Sequence, residues 1–239
     1  MKVAAWSRLT RGQDIPWIFR NYGILAALRL LWRNLPYHLW LHFSPAGRKE
    51  LQFDEIHGIE TEGMLSRWEM GEVGANREFA VQYLPTRPKK SYAMLDSLRL
   101  DFHKFTFVDI GSGKGRVLLL AQQYGFRKII GVEFVSSLCE TARQNLQICH
   151  CTAEVVCMDA SKFEIPSSAI VLYMCNPFTG KPMEQLIRNI EQSLAAYARP
   201  LYVIYWKPLC HELLSASPAL IQIAHEPEEF SIFKSRYTV

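Results

Sequence analysis

The sequence predicts an α/β protein built on a doubly wound, mostly parallel seven-stranded sheet. An antiparallel hairpin strand closes it at the C-terminus, and a helical extension precedes it. Three observations carry that expectation. From residue 91 onward, apolar runs of strand length alternate with segments of helical periodicity. Such alternation argues for a parallel sheet covered on both faces. The last two apolar runs are joined only by His225-Glu226-Pro227-Glu228. A parallel crossover needs roughly a dozen residues or more, so these two runs pair as an antiparallel hairpin. Finally, an apolar strand runs into a loop with glycine at alternate positions, the layout of a ligand site at a switch point of such a sheet.

Ser91 to Leu100 reads as a helix, Phe105 to Ile110 as a buried strand, and Lys114 to Tyr124 as the helix after the glycines. Lys128 to Glu133 is a second strand. Ser137-Leu138-Cys139-Glu140 has the form of a capping box and opens a helix to about Ile148. Glu154 to Met158 is a third strand ending on Asp159, and Ala169 to Cys175 a fourth ending on Asn176. Met183, Leu186, Ile187, Ile190 and Leu194 recur at helical spacing and form one apolar face. Leu201 to Trp206 is the fifth strand and Pro208 to Ser215 a helix. Leu220 to Ala224 and Phe230 to Tyr237 are the closing strands.

The stretch Phe107-Val108-Asp109-Ile110-Gly111-Ser112-Gly113-Lys114-Gly115-Arg116 narrows the chemistry. A dinucleotide site needs G-x-G-x-x-G, and Arg116 stands where its third glycine would be. A P-loop needs G-x-x-x-x-G-K-[ST]; here Lys114 is followed by Gly115 and the first glycine is missing. What remains is D-x-G-x-G-x-G, followed by the acidic strand end Gly131-Val132-Glu133. This set resembles motif I of the class I S-adenosylmethionine-dependent methyltransferases and the acid that follows it. The likeness extends over about residues 91–239. A finer resemblance, to bacterial class I methyltransferases of unassigned substrate, includes Gly58-Ile59-Glu60-Thr61 with Gly63 and the approach Tyr83-x-Pro85-Thr86. The glycine loop and that approach are also similar to the non-SET histone lysine methyltransferases, which raises protein lysine as an acceptor.

The resemblance implies S-adenosyl-L-methionine as donor, S-adenosyl-L-homocysteine as product, and no metal. Glycines at 111, 113 and 115 are expected to let the main chain approach the donor. Glu133 would accept from the ribose hydroxyls, and Asp109 would orient the loop toward the cationic end. Asp159, with Met158 and Ala160, would frame the adenine. The donor-binding candidates are Tyr83, Asp109, Gly111, Ser112, Gly113, Gly115, Glu133, Phe134, Asp159, Ala160 and Asn176. Asn176-Pro177-Phe178 looks like a shortened Asn-Pro-Pro-aromatic motif, in which the Asn side chain and the first proline carbonyl accept from a target amine. With one proline missing, base specificity does not carry over. Asn176, orienting a nucleophile, and Phe178, lining the acceptor pocket, are the catalytic candidates.

The length of 239 residues suits one α/β domain with an extension. Residues 1–90 form the basic, helical extension with a lid, and 91–239 the donor-binding domain. The chain carries +4 overall, yet residues 1–50 hold eight Lys and Arg against two Asp and Glu. Pro16 to Trp32 reads as a helix, and Leu39-Trp40-Leu41-His42-Phe43 is a second apolar patch. Residues 16–43 therefore suit packing on their own domain, a peripheral membrane contact with anionic lipid, or an acceptor surface. Glu72, Asn76 and Tyr83 are candidate lid residues over the donor. The six cysteines lack a C-x-x-C pair, and no secretory signal is evident, so free thiols and a cytoplasmic location are expected. The acceptor is expected to be a nitrogen of a protein or small molecule. A nucleic-acid methyltransferase and a non-catalytic donor-binding or membrane-associated scaffold are the alternatives.

Overall fold

The structure is a computed structural model that describes residues 43–63 and 79–236, together with Leu39. The helix expected over Pro16–Trp32, positions 40–42 of the apolar patch, Glu72 and Asn76 lie outside the described residues. Leu39 and Phe43, at the two ends of that patch, are exposed.

Among the described residues, the helices α1 (Pro45–His57) and α2 (Pro88–Leu98) precede the sheet. Proline stands at the start of α2, where a missing N–H costs nothing. Then follow β1 (Thr106–Ile110), α3 (Arg116–Gln122), β2 (Lys128–Glu133), α4 (Ser136–Ile148) and β3 (Glu154–Cys157). The second half comprises β4 (Ile170–Cys175), α5 (Gly180–Ala196), β5 (Leu201–Trp206), α6 (His211–Ser215), β6 (Leu220–Glu226) and β7 (Phe230–Ser235). The seven strands lie in the order β3-β2-β1-β4-β5-β7-β6. The first five are parallel, and β7 runs antiparallel to both β5 and β6. The short link between the last two runs thus produces the hairpin that its length requires, with β7 inserted beside β5.

Strand alternation splits the core between the two faces. Val108, Ile110, Val132, Leu172 and Met174 pack with Met183, Leu186, Ile187, Ile190 and Leu194 of α5, the five residues of its expected apolar face. Phe107, Val171 and Tyr173 point the other way, against Leu95 of α2 and Val117, Leu118 and Ala121 of α3. Asp109 alternates with Val108 and Ile110, which places it on this second face.

Several boundaries differ from the sequence reading. Gly115, with φ +83°, is the N-cap of α3, so that helix begins at Arg116 rather than Lys114. β3 ends at Cys157, and Asp159 caps a 3-10 turn, Ala160–Lys162, instead of closing the strand. The capping box does not form. Val135 is the N-cap of α4, and the buried Ser137 hydroxyl has no hydrogen-bond partner. The helix starts earlier than the box requires: the Cys139 amide donates to the Val135 carbonyl, so Ser137 already lies inside the first turn.

Leu172, fully buried at the centre of β4, anchors the first face. Leu172→Ala is expected to lower stability by about 2–5 kcal/mol through lost transfer energy and a residual cavity. Urea unfolding should show a lower midpoint at an unchanged slope.

Candidate donor-binding and acceptor site

The strand order turns back on itself between β1 and β4, so the crevice of the sheet opens above their carboxyl ends. A cleft of about 910 Å³, counted with its open mouth, lies there. Asp109, Gly111, Ser112 and Arg116 line it from β1 and the turn after it, and Glu133 and Phe134 from the end of β2. Met158, Asp159 and Ala160 contribute from beyond β3, and Asn176, Pro177 and Phe178 from beyond β4. Tyr83 and Thr86 complete the wall. The structure thus brings together the sequence candidates around one cleft, except Gly113 and Gly115, which do not line it.

The glycine loop works differently from the expectation of clearing space for a ligand. Gly111 and Gly113 adopt φ of +77° and +54°, a region that favours glycine. A Cβ on Gly113 would stand 2.3 Å from the Tyr83 ring, and one on Gly111 2.5 Å from Pro177. The space that the missing side chains leave is filled by protein. The loop amides are also engaged: Gly111 and Ser112 donate to the Val132 carbonyl, Gly113 to Glu133 at 3.0 Å, and Gly115 to the Ser112 carbonyl. The Ser112 hydroxyl is buried without a partner and faces Gly131.

Two carboxyl groups meet under this loop. Glu133 accepts from the amides of Gly113, Phe134 and Val135 at 2.8–3.0 Å. Burial raises its pKa, and the three amides act against that rise. Asp109 is 2% exposed, and its carboxyl makes no hydrogen bond among the described residues. Burial, and secondarily the neighbouring Glu133 charge, holds its pKa well above the usual carboxylate value. Asp159 accepts from the amide and hydroxyl of Ser161 at 2.9 and 2.7 Å. Two acids at the ends of β1 and β2 and a third at the turn after β3 therefore face one cleft, which suits a cation-bearing ligand.

On the far side, Asn176 holds φ +44°, and its Oδ1 accepts from the Tyr205 hydroxyl at 3.2 Å. The Pro177 carbonyl accepts from the Val81 amide at 3.1 Å, and Thr179 donates to the Phe79 carbonyl at 2.9 Å. Ala80 and Phe178 form an antiparallel bridge. Residues 79–83 thus run alongside 177–179 as a short strap. Both acceptors of the amine-binding motif already hold one hydrogen bond. Burial pushes the Cys175 thiol up to about 11, against a hydrogen bond from Thr86.

Sequence reading missed one group of residues. Lys114 and Arg116 turn outward from the loop into residues 54–62. Lys114 Nζ donates to Glu60 at 2.9 Å and to the Glu62 carbonyl at 2.8 Å. Arg116 donates from Nε to the Thr61 hydroxyl at 2.6 Å, pairs with Asp54 at 3.2 Å, pairs with Glu62, and stacks over Phe53. Burial acts to lower the Arg116 pKa, but Glu62, Tyr83 and Asp54 outweigh it and raise it. Asn145 of α4 exchanges two hydrogen bonds with the Glu60 backbone and donates to the Lys114 carbonyl. A signal existed: basic residues at the start of a helix oppose its dipole and call for acids nearby.

Residues 107–196 match the family model described as a methyltransferase domain. That match runs from β1 through α5, so this part of the sheet is similar to a methyltransferase domain. No curated protein matches the chain. Among solved structures, it is similar to an RNA methyltransferase from Salinibacter ruber in complex with S-adenosyl-L-homocysteine. That likeness has 19% identity, covers 64% of this chain and 92% of that one, and has a TM-score of 0.45. A precorrin-6y C5,15-methyltransferase from Geobacter metallireducens gives 16% identity, 65% and 90% coverage, and a TM-score of 0.48. A ribosomal protein L11 methylase from Lactobacillus delbrueckii gives 13% identity, 65% and 81% coverage, and a TM-score of 0.45. Among the described residues, no helix of the domain or its extension is long and apolar enough to cross a membrane.

The Asp109 environment yields a sign. The unfolded chain ionises this group near pH 3.9, while the folded methyltransferase domain retains the proton to higher pH. Between those values the folded state binds more protons, so stability falls as pH rises. Asp109→Asn should therefore raise the melting temperature of the ligand-free protein at pH 8, with the gain shrinking toward pH 4. Equal gains at both pH values would show that Asp109 ionises normally.

Proposed function

We propose that this methyltransferase transfers the methyl group of S-adenosyl-L-methionine to a nitrogen of a protein or small molecule. The observation that carries the reading is the set of three carboxyl groups, Asp109, Glu133 and Asp159, on one cleft at the switch point. The donor supplies a methyl group already activated on a sulfonium, so alignment is most of the catalytic task.

Each residue has a part. The amides of Gly113, Phe134 and Val135 fix the Glu133 carboxylate, which keeps lone pairs for the ribose hydroxyls. Asp109 faces the cationic end, and a cation there favours its ionised form. Met158, Asp159 and Ala160 frame the adenine, and Tyr83 and Phe134 close the wall. Asn176 and Phe178 stand on the acceptor side. The Asn176 and Pro177 carbonyl oxygens each retain a second lone pair, which can accept from an incoming amine and orient its nitrogen. The carboxyl groups on the cleft favour a cationic amine over a phosphate, and the Arg116 charge on the same wall is paired with Asp54 and Glu62. That disfavours a nucleic-acid acceptor lying in the cleft. The basic stretch before residue 50 would then meet the acceptor's surface, or an anionic membrane, outside it.

The test is a calorimetric titration with S-adenosyl-L-homocysteine, with NAD as control. Wild type should bind the former at micromolar concentration and ignore the latter. Glu133→Gln should weaken binding by about 1.5–3 kcal/mol, the range for hydrogen bonds to a charged group. Unchanged affinity in folded Glu133→Gln would remove that residue from the site. Labelled-methyl transfer into lysate fractions then tests the acceptor. Label in protein or small-molecule amines, reduced by Asn176→Ala at unaltered donor affinity, is expected. Label confined to nuclease-sensitive material would overturn the acceptor reading.

A further inference from the structure

The loop that carries the donor-binding residues has little to hold it from within. Glycine alternates along it, and glycine loses more conformational freedom on ordering than any other residue. Its inner side is tied to β2 by the amides of Gly111, Ser112 and Gly113. Its outer side is tied by side chains alone, and these reach residues more than fifty positions earlier in the chain.

That outer fastening is a buried charge cluster. Arg116 is 2% exposed and Lys114 6%, yet neither is spent on the sheet or on solvent. Asp54 and Thr61 form its centre, and both are buried. The Asp54 carboxylate accepts from the amides of Thr61 and Glu62 at 2.6 and 2.8 Å and from the Thr61 hydroxyl. The Thr61 hydroxyl, which donates to Asp54, in turn accepts from Arg116 Nε. Its carbonyl accepts from the Tyr83 hydroxyl at 2.6 Å, and the Tyr83 ring lies on Gly113. One residue therefore touches both arms that press on the loop: Arg116 at its exit and Tyr83 across its middle.

A buried ion pair is weak evidence for stability, because desolvating the charges offsets much of their attraction. Its surer effect is to fix geometry, since leaving any member unpaired is costly. Neither Asp54 nor Thr61 lines the donor cleft. We propose that Asp54 and Thr61 are positioning residues for the donor: by holding Arg116 and Tyr83 they set the conformation of residues 111–115, and donor affinity depends on them without contact. This rests on the donor-site reading above.

Titration with S-adenosyl-L-homocysteine tests it. Thr61→Ala should weaken binding roughly tenfold or more, the scale of one lost hydrogen bond to a charged group. Thr61→Ser, which keeps the hydroxyl between Arg116 and Asp54, should restore affinity to within about twofold. A role limited to stability would lower the melting temperature of Thr61→Ala and leave the affinity of the folded protein unchanged. Equal binding by wild type and folded Thr61→Ala overturns the proposal and leaves the donor site intact. No binding by folded wild type overturns the donor site itself. Should Thr61→Ala fail to fold, Asp54→Asn takes its place: it removes the charge that pairs with Arg116 and keeps the size of the side chain. Weaker binding then supports the proposal, and unchanged affinity overturns it.

Discussion

Asp109 and Glu133 lie buried side by side at the ends of neighbouring strands, and water cannot stabilise either charge. Much of the local architecture can be read as a response. Glu133 is compensated by three backbone amides, one from the glycine loop and two from the chain entering α4. Those same hydrogen bonds close the loop down onto β2 and set where α4 begins. Asp109 receives no such compensation among the described residues, and burial beside Glu133 raises its pKa. The domain therefore holds an unfavourable site ready for a positive ligand. Stability given up at a binding centre is common where function requires it.

The glycine loop is shaped by protein neighbours as much as by any ligand. Tyr83 occupies the space above Gly113, and Pro177 that beside Gly111. Tyr83 belongs to the segment before the sheet, and Pro177 to the acceptor side. The strap formed by residues 79–83 and 177–179 joins these two neighbours. Residues 177–179 and the glycine loop are thus joined by direct packing.

Most of the sheet was legible because its signals are local. Apolar runs such as Leu201–Trp206 and the alternate glycines specify strands and a turn whatever surrounds them. The link at His225–Glu228 fixed the hairpin by length alone. The misses share the opposite property. The capping box at Ser137 failed because the helix begins at Ser136, with Val135 as its N-cap, and Ser137 falls inside the first turn. The glycine contacts with Tyr83 and Pro177 depend on segments distant in sequence. Lys114 and Arg116 take partners in residues 54–62 that only the fold brings against them. Asn145 gave no sign at all: an asparagine on a helix becomes a bridge only when two backbones arrive at its side chain.

That arrangement bears on modularity. Sequence composition suggests a cut near residue 90, with a separable extension on one side and a portable catalytic unit on the other. The charges on the loop argue against treating the second piece as complete. Excised at that point, it would keep Arg116 and Lys114 and lose Asp54, Glu60 and Glu62. Two cations that the whole chain neutralises out of water would become stranded beside the donor cleft. The upstream segment is in this sense a component of the catalytic unit, inherited with it, and neither half is free to be exchanged without the other.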